Sequence, residues 1–282
     1  MSQIALPALY ALLLWWFSTG IILYAVGLSR RSYRVSVAIS AVCLIVALWA
    51  LAQGGQATAR DAYVTFACVL AVWGFVETTF LTGYITGPRK TPCPPGCTGA
   101  RRVRYATETI IYHELMLVAG FAAIVAATGG GDTFAIGLYA MLWVMRLSSK
   151  LNLFLGVPTL NAELLPPPLR HLRSYFRQRP MNALFPVSAL GSAAVTAWLV
   201  GRAFSDGASD YDVTVYILMA SLLALGLLEH LFMLIPMPIA GLWGPQIKAR
   251  AEKAEAETAK PAADLASVRA QPSRKISVGG VQ

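Results

Sequence analysis

The residues of this sequence that could do chemistry are ionisable side chains set inside long apolar stretches. They are Glu77, Glu108, His113, Glu114, Arg146, Lys150, Glu229 and His230. A charge at the centre of a membrane-spanning helix costs about 2.5 to 3.5 kcal/mol, so several unpaired charges would strongly disfavour insertion. We therefore expect these side chains to meet one another or water.

Four of these groups lie at similar distances from one end of their apolar stretches. They are Glu77, His113, Lys150 and Glu229. Roughly six to nine residues separate each from that end, which is about 9 to 14 Å at 1.5 Å per residue. Arg146 lies one turn deeper, whereas Glu108 falls in a first helical turn, where a carboxylate favours the positive end of the helix dipole. The sequence therefore predicts one buried layer of ionisable groups, with Glu108 outside it.

A structural interpretation pairs these charges between helices. Arg146 and Lys150 are four residues apart and therefore share one helix face. They could form ion pairs with Glu77, Glu114 or Glu229 and so hold neighbouring helices together. On this interpretation the layer has no ligand.

Two further interpretations give the layer a ligand. In the first, a metal ion is held by Glu77, His113, Glu114, Glu229 and His230. Di-iron bundles place Glu and His three residues apart on one face, whereas here each of the two His is adjacent to a Glu. In the second, His113 or His230 is the axial ligand of a tetrapyrrole, which requires only one neutral imidazole beside an apolar slot.

The composition indicates which elements must position these groups. Hydrophobic residues make up 56% of the 282 residues, charged residues only 13%, and the mean hydropathy is +0.58. A soluble domain carries about 25% charged residues, because its surface must stay hydrated. The composition excludes an ordinary cytoplasmic enzyme, a disulfide-rich secreted domain and a disordered protein.

Seven apolar stretches are long enough to cross a hydrocarbon core about 30 Å thick. They cover residues 4–28, 35–53, 62–86, 107–127, 134–156, 183–204 and 213–236. The sequence thus predicts an all-α polytopic membrane protein with seven transmembrane helices in a domain of residues 1–246. Residues 247–282 are rich in Ala, Glu, Lys and Pro, and we expect a cytoplasmic tail that is first helical and then disordered.

Basic residues fall almost entirely in alternate loops. These loops contain Arg30, Arg31, Arg34, Arg89, Lys90, Arg101, Arg102, Arg104, Arg170, Arg173, Arg177 and Arg179. The positive-inside rule places them in the cytoplasm, with the N-terminus outside and the C-terminus inside. Residues 169–177 are amphipathic, and we expect an interfacial helix there. The net charge of +9 fits anionic lipid headgroups and predicts no nucleic-acid partner.

The cysteines offer a weaker signal. Cys93 and Cys97 belong to a Cys-Pro-Pro-Gly-Cys segment in a predicted cytoplasmic loop, where thiols stay reduced. Two thiolates are only half of a structural zinc site, and no second pair stands nearby in the sequence. A rigid turn set by the prolines is the favoured interpretation.

Several segments in order resemble a known family. They are Glu77-Thr-Thr-Phe-Leu-Thr-Gly-Tyr-Ile-Thr-Gly-Pro-Arg, the Cys93-Pro-Pro-Gly-Cys turn, Tyr112-His-Glu-Leu, Lys150-Leu-Asn-Leu-Phe-Leu-Gly-Val-Pro, Ser174-Tyr-Phe, Arg179-Pro-Met-Asn and Phe185-Pro. Together they look like the PuhE-type photosynthetic complex assembly family of purple phototrophic bacteria, over about residues 1–245. The resemblance implies a multi-pass protein of the bacterial inner (intracytoplasmic) membrane, and in that membrane the N-terminus that the positive-inside rule places outside is periplasmic. It brings no catalytic residues.

The resemblance and the buried layer together lead to one functional hypothesis. We expect a non-enzymatic factor that assists assembly of the photosynthetic reaction centre and light-harvesting complex, by handling bacteriochlorophyll or a precursor or by regulating its supply. Its expected partners are the lipid bilayer and reaction-centre or light-harvesting subunits or other assembly factors. A metal-dependent membrane oxidoreductase acting on a tetrapyrrole or quinone, and a transporter, are the alternatives.

Overall fold

The computed structural model describes residues 2–27, 30–160 and 165–235. These residues form seven α-helices and one 3₁₀ helix, with a single isolated β-bridge and no β-strand among them. The predicted tail of residues 247–282 lies outside the described residues.

The helices follow the predicted apolar stretches in order. They are α1 (Ser2–Gly27), α2 (Arg30–Ala52), α3 (Ala59–Leu81), α4 (Gly99–Ala127), α5 (Thr133–Leu155), the 3₁₀ helix (Pro167–Tyr175), α6 (Leu184–Ala203) and α7 (Asp210–Leu231). The protein is therefore all-helical, as the sequence predicts.

Six of the seven α-helices are long and apolar enough to cross a bilayer, namely α1, α2, α3, α4, α6 and α7. Helix α5 has 23 residues, but Arg146, Lys150 and Asn152 lower its mean hydropathy. The predicted count of seven spans is thus supported for six helices only. The orientation stays a prediction.

Helix α3 lies at the centre of the bundle. In the most apolar 18-residue segment of α3, 56% of the residues are buried, whereas only 11% are buried in the corresponding segment of α1 and in that of α2. Its residues Phe66, Val69 and Trp73 pack with Leu138 and Tyr139 of α5 in the main hydrophobic core. Helices α1 and α2 instead expose large apolar side chains, which is the pattern expected of surfaces that face lipid.

Short polar motifs fix where several helices begin. Thr58 and Asp61 form a capping box at the start of α3, and Ser209 and Asp212 form another at α7. Each box satisfies backbone N–H groups that have no partner within the helix. Asp132 caps α5 in a similar way, accepting a hydrogen bond from the backbone N–H of Ala135.

Four predicted boundaries are wrong by five residues or more. Helix α2 begins at residue 30 rather than 35, and α7 ends at residue 231 rather than 236. The third stretch was expected to continue to residue 86, but α3 ends at Leu81 and the chain turns through Gly83, whose φ is +78°. The fourth was expected to begin at residue 107, but α4 begins at Gly99. Its first two turns are basic rather than apolar, and Arg102 is buried there, so hydropathy alone does not detect them.

The amphipathic segment is a 3₁₀ helix whose apolar side packs against the bundle. Leu169 and Leu172 are buried against Phe80 of α3. The Arg102 guanidinium of α4 donates hydrogen bonds to the backbone carbonyls of Tyr175 and Phe154. Because these bonds join α4, α5 and the 3₁₀ helix, the segment is anchored to the protein at this end of the bundle.

A close backbone contact at Gly87 joins the chain after α3 to helix α4. A Cβ atom at Gly87 would lie 2.2 Å from the carbonyl oxygen of Glu108 and 2.6 Å from the carbonyl carbon of Thr109. We expect Gly87→Ala to lower the free energy of unfolding by about 1 to 3 kcal/mol, because backbone atoms must move apart. Thermal unfolding in detergent measures this. Gly201→Ala, in open space on α6, is the control and is expected to cause no loss.

Candidate functional site

Two ion pairs join the central helices in the half of the bundle near the basic loops. The Arg146 Nη2 atom of α5 lies 2.7 Å from the Glu77 Oε2 atom of α3. The Lys150 Nζ atom, one turn further along α5, lies 2.6 Å from the Glu114 Oε1 atom of α4. Both cations of α5 therefore have carboxylate partners, on two different neighbouring helices.

His113 of α4 is fully buried beside the first of these pairs. Its ring stacks on Phe80, with centroids 4.1 Å apart, and its Nε2 atom lies 3.8 Å from the Glu77 Oε1 atom. Among the described residues, neither ring nitrogen of His113 has a hydrogen-bond partner, nor does Glu77 Oε1. A buried polar atom without a partner costs about 1 to 3 kcal/mol, so this arrangement carries a penalty.

His230 of α7 has a contrasting environment. Its Nδ1 atom lies 2.8 Å from the carbonyl oxygen of Gly226, and its Nε2 atom lies 2.9 Å from the Ser148 hydroxyl. Since a carbonyl only accepts, Nδ1 carries the proton and Nε2 accepts from Ser148. Ser148 in turn contacts Ser188 of α6 at 2.8 Å, and Asn152 donates to Ser188. His230 therefore belongs to a polar network that joins α5, α6 and α7.

A cavity of about 220 Å³ opens between α1, α3, α5 and α7. Its lining is mainly apolar, with Trp73, Leu142 and Leu222 among the side chains that form it. Seven polar side chains also line it, namely Ser18, Thr19, Glu77, Arg146, Ser149, Glu229 and His230. An apolar pocket with a few convergent polar groups is the usual form of a small-molecule site.

The structure brings some of the predicted site residues together and separates others. Glu77, Arg146, Glu229 and His230 share the cavity. His113, Glu114 and Lys150 do not line it, although His113 lies directly behind Glu77. In the part of the chain that the structure describes, no three His, Cys, Asp or Glu residues stand close enough to hold a metal ion. The proposed metal and tetrapyrrole ligand sets stay predictions.

Helix α1 contributes residues that the sequence analysis did not place in the site. Trp15, Ser18, Thr19 and Ile22 line the cavity. Their spacing of three and four residues places them on one helix face, and two of them are hydroxyl residues within an apolar span. That pattern is the signal that could have identified this wall.

Outside the helical spans, the loop after α3 is tied to the 3₁₀ helix. The Arg89 side chain donates to the Tyr175 hydroxyl at 2.7 Å, and this bond raises the pKa of Arg89. The Cys93 backbone N–H donates to Ser174 at 2.8 Å. Burial, together with the neighbouring Cys97, raises the pKa of the Cys93 thiol and so favours its protonated form.

Comparisons with known proteins give one family and one relative. The family described as protein of unknown function DUF3623 matches residues 1–254. A Rhodobacter capsulatus protein described as "Uncharacterized 30.4 kDa protein in puhA 5'region" is 37% identical over 245 residues, which are 84% of this chain and 89% of that relative. No solved structure matches the chain.

Proposed function

The chain belongs to the DUF3623 family, which matches it over residues 1–254, and we propose that it has a role in photosynthesis. The name of its Rhodobacter capsulatus relative places that protein in the puhA 5' region, and we take this position as support for the proposed role. We propose a PuhE-type membrane factor that assists assembly of the reaction centre and light-harvesting complex, in the bacterial inner membrane, without catalytic turnover.

The cavity between α1, α3, α5 and α7 is the observation that carries this proposal. It combines an apolar lining with the Glu77–Arg146 ion pair and with the Glu229 carboxylate, which interacts with the Trp15 side chain. Such a site suits an amphipathic ring compound that partitions into the bilayer. We propose that the site holds bacteriochlorophyll or a precursor while partner subunits take it up.

We further propose that α5 crosses the bilayer as a seventh span, with the N-terminus periplasmic. Support comes from its 23 residues and from its packing against α3, α4, α6 and α7. Its two cations are both paired, so the cost of burying them is reduced. An odd number of spans also agrees with the distribution of basic residues between alternate loops.

Blocking the cavity tests the assembly role. Gly74 lies on the cavity wall, and its nearest neighbour to an added Cβ atom is Ile22 at 3.9 Å, so Gly74→Leu would fill the cavity without a backbone clash. In a phototrophic host that lacks the native protein, we expect this variant to lower reaction-centre and antenna absorbance at least about threefold at equal protein level.

The matched control is Gly191→Leu, because Gly191 lies on α6 with open space around it and away from the cavity. It is expected to restore normal absorbance. If the Gly74 variant also restores full absorbance at normal abundance, the cavity has no part in assembly and the proposed function is wrong.

A further inference from the structure

We propose that the cavity recognises an oxygen substituent at the edge of a flat ring ligand through Arg146, and does not ligate the central metal of that ligand through a histidine. This inference rests on the proposed function, because it concerns the same cavity, and it specifies the chemistry that the ligand must present. A ring carbonyl or carboxylate on an isoprenoid-tailed molecule fits this description.

The two histidines are poorly placed to ligate a metal in the cavity. His230 lines the cavity, but its Nδ1 proton is donated to Gly226 and its Nε2 lone pair accepts from Ser148. Ligation would require breaking the network that joins α5, α6 and α7. His113 has both nitrogens without described partners, but it is 0% exposed and lies behind Glu77 and Phe80.

Arg146, unlike His113, lines the cavity, and its guanidinium offers more than one N–H donor. Its Nη2 atom is held by Glu77, which fixes the guanidinium on the cavity wall. Its Nε atom is buried, but the side chain as a whole is 33% exposed on the cavity wall, so the terminal N–H groups that Glu77 does not bind are the donors open to a ligand. An N–H donor of a guanidinium forms strong hydrogen bonds with carbonyl or carboxylate oxygens. Glu77 thus positions Arg146, and a ligand oxygen would satisfy its unused donors.

The aromatic walls favour a flat partner. Trp15 of α1 and Trp73 of α3 both line the cavity that Arg146 enters. Indole rings provide large apolar faces on which a planar ring can stack. The ligand class is therefore a planar ring with an oxygen at its edge.

The size of the cavity limits how much of the ligand enters. A site that encloses a drug-sized molecule has a volume of about 300 to 1,000 Å³, whereas this cavity has about 220 Å³. Only one edge of a macrocycle fits, and the remainder and its tail stay among the helices and lipid. Partial burial suits a factor that must release the ligand to another protein.

Binding to purified full-length protein in detergent micelles tests the inference. The probes are bacteriochlorophyll a and its magnesium-free counterpart, bacteriopheophytin a, followed by tryptophan fluorescence quenching. We expect dissociation constants that agree within about threefold, because the metal is not ligated. Arg146→Lys keeps a positive charge beside Glu77 but removes the planar guanidinium and its fixed N–H donors. Both probes are therefore expected to bind about tenfold more weakly. Lys150→Arg, outside the cavity, is the control and is expected to change neither constant.

The outcomes separate this inference from the proposed function. If binding requires magnesium, if Arg146→Lys has no effect, or if no ring compound binds to the folded protein, Arg146 does not recognise a ring oxygen and the inference is overturned. If neither pigment binds but ubiquinone-10 binds in an Arg146-dependent manner, recognition of a ring oxygen by Arg146 is supported. The proposal that the cavity holds bacteriochlorophyll is then overturned. Restoration of absorbance by Gly74→Leu tests the assembly role independently of either result.

Discussion

Arg146→Met is expected to lower the free energy of unfolding by about 3 to 5 kcal/mol, the cost of leaving a buried carboxylate without its partner. The Glu77 side chain is only 10% exposed, and its Oε2 atom has the Arg146 guanidinium as its cationic partner at 2.7 Å. Its other oxygen, Oε1, faces His113 at 3.8 Å without a hydrogen bond. Removal of Arg146 therefore leaves both carboxylate oxygens poorly satisfied.

The pair predicts a rescue that a simple loss of packing would not give. Adding Glu77→Gln to Arg146→Met removes the stranded charge, and we expect the double variant to recover most of the lost free energy of unfolding. Reversible unfolding in mixed micelles, followed by circular dichroism, measures all three variants. A double variant no more stable than Arg146→Met alone would show that the pair does not act as a unit.

A second comparison separates this buried pair from a surface pair. On α4, Arg104 precedes Glu108 by one turn, and its Nε atom lies 2.8 Å from the Glu108 Oε1 atom. The Arg104 side chain, however, is 77% exposed. Exposed ion pairs contribute little, because water and salt screen them. Arg104→Met is therefore expected to change the free energy of unfolding far less than Arg146→Met does, even though both variants remove one arginine.

The sequence predicts the helices well because each apolar stretch is bounded by polar or glycine-rich residues. It fails where tertiary contacts extend or shorten a helix. Helix α4 begins at Gly99 because the basic residues of its first turns bind to other elements, as Arg102 does to the Tyr175 carbonyl. Helix α5 shows the same limit, since Arg146 and Lys150 lower its hydropathy although both are paired.

The site is less predictable than the fold, because it depends on how each helix is rotated about its axis. Counting residues along the chain places Glu77, His113 and Lys150 at similar depths, but it does not choose their partners. The structure turns Glu114 towards Lys150 and away from the cavity, and it turns Glu229 towards the cavity. The spacing of polar and aromatic residues on α1 marks one face of that helix, but it does not show that α1 packs against α7 and so completes the cavity.

The two buried histidines are expected to respond to substitution with opposite signs. His230→Leu removes hydrogen bonds to Gly226 and Ser148, which leaves polar groups of the network without partners. We expect the free energy of unfolding to fall by about 2 to 4 kcal/mol, because each stranded buried group costs about 1 to 3 kcal/mol. His113→Leu removes two ring nitrogens that have no described partner, so we expect the free energy of unfolding to rise by about 1 kcal/mol.

Thermal unfolding of the two variants in the same detergent measures this difference in stability. Reaction-centre absorbance in a phototrophic host shows whether His113 also has a role in function. A buried polar group that lowers stability and persists is a common feature of functional sites. If His113→Leu stabilises the protein but lowers reaction-centre absorbance at equal abundance, His113 serves the function at the expense of the fold. If His113→Leu is instead as unstable as His230→Leu, the imidazole of His113 makes stabilising hydrogen bonds in the membrane. Its buried nitrogens would then be no sign of a functional role.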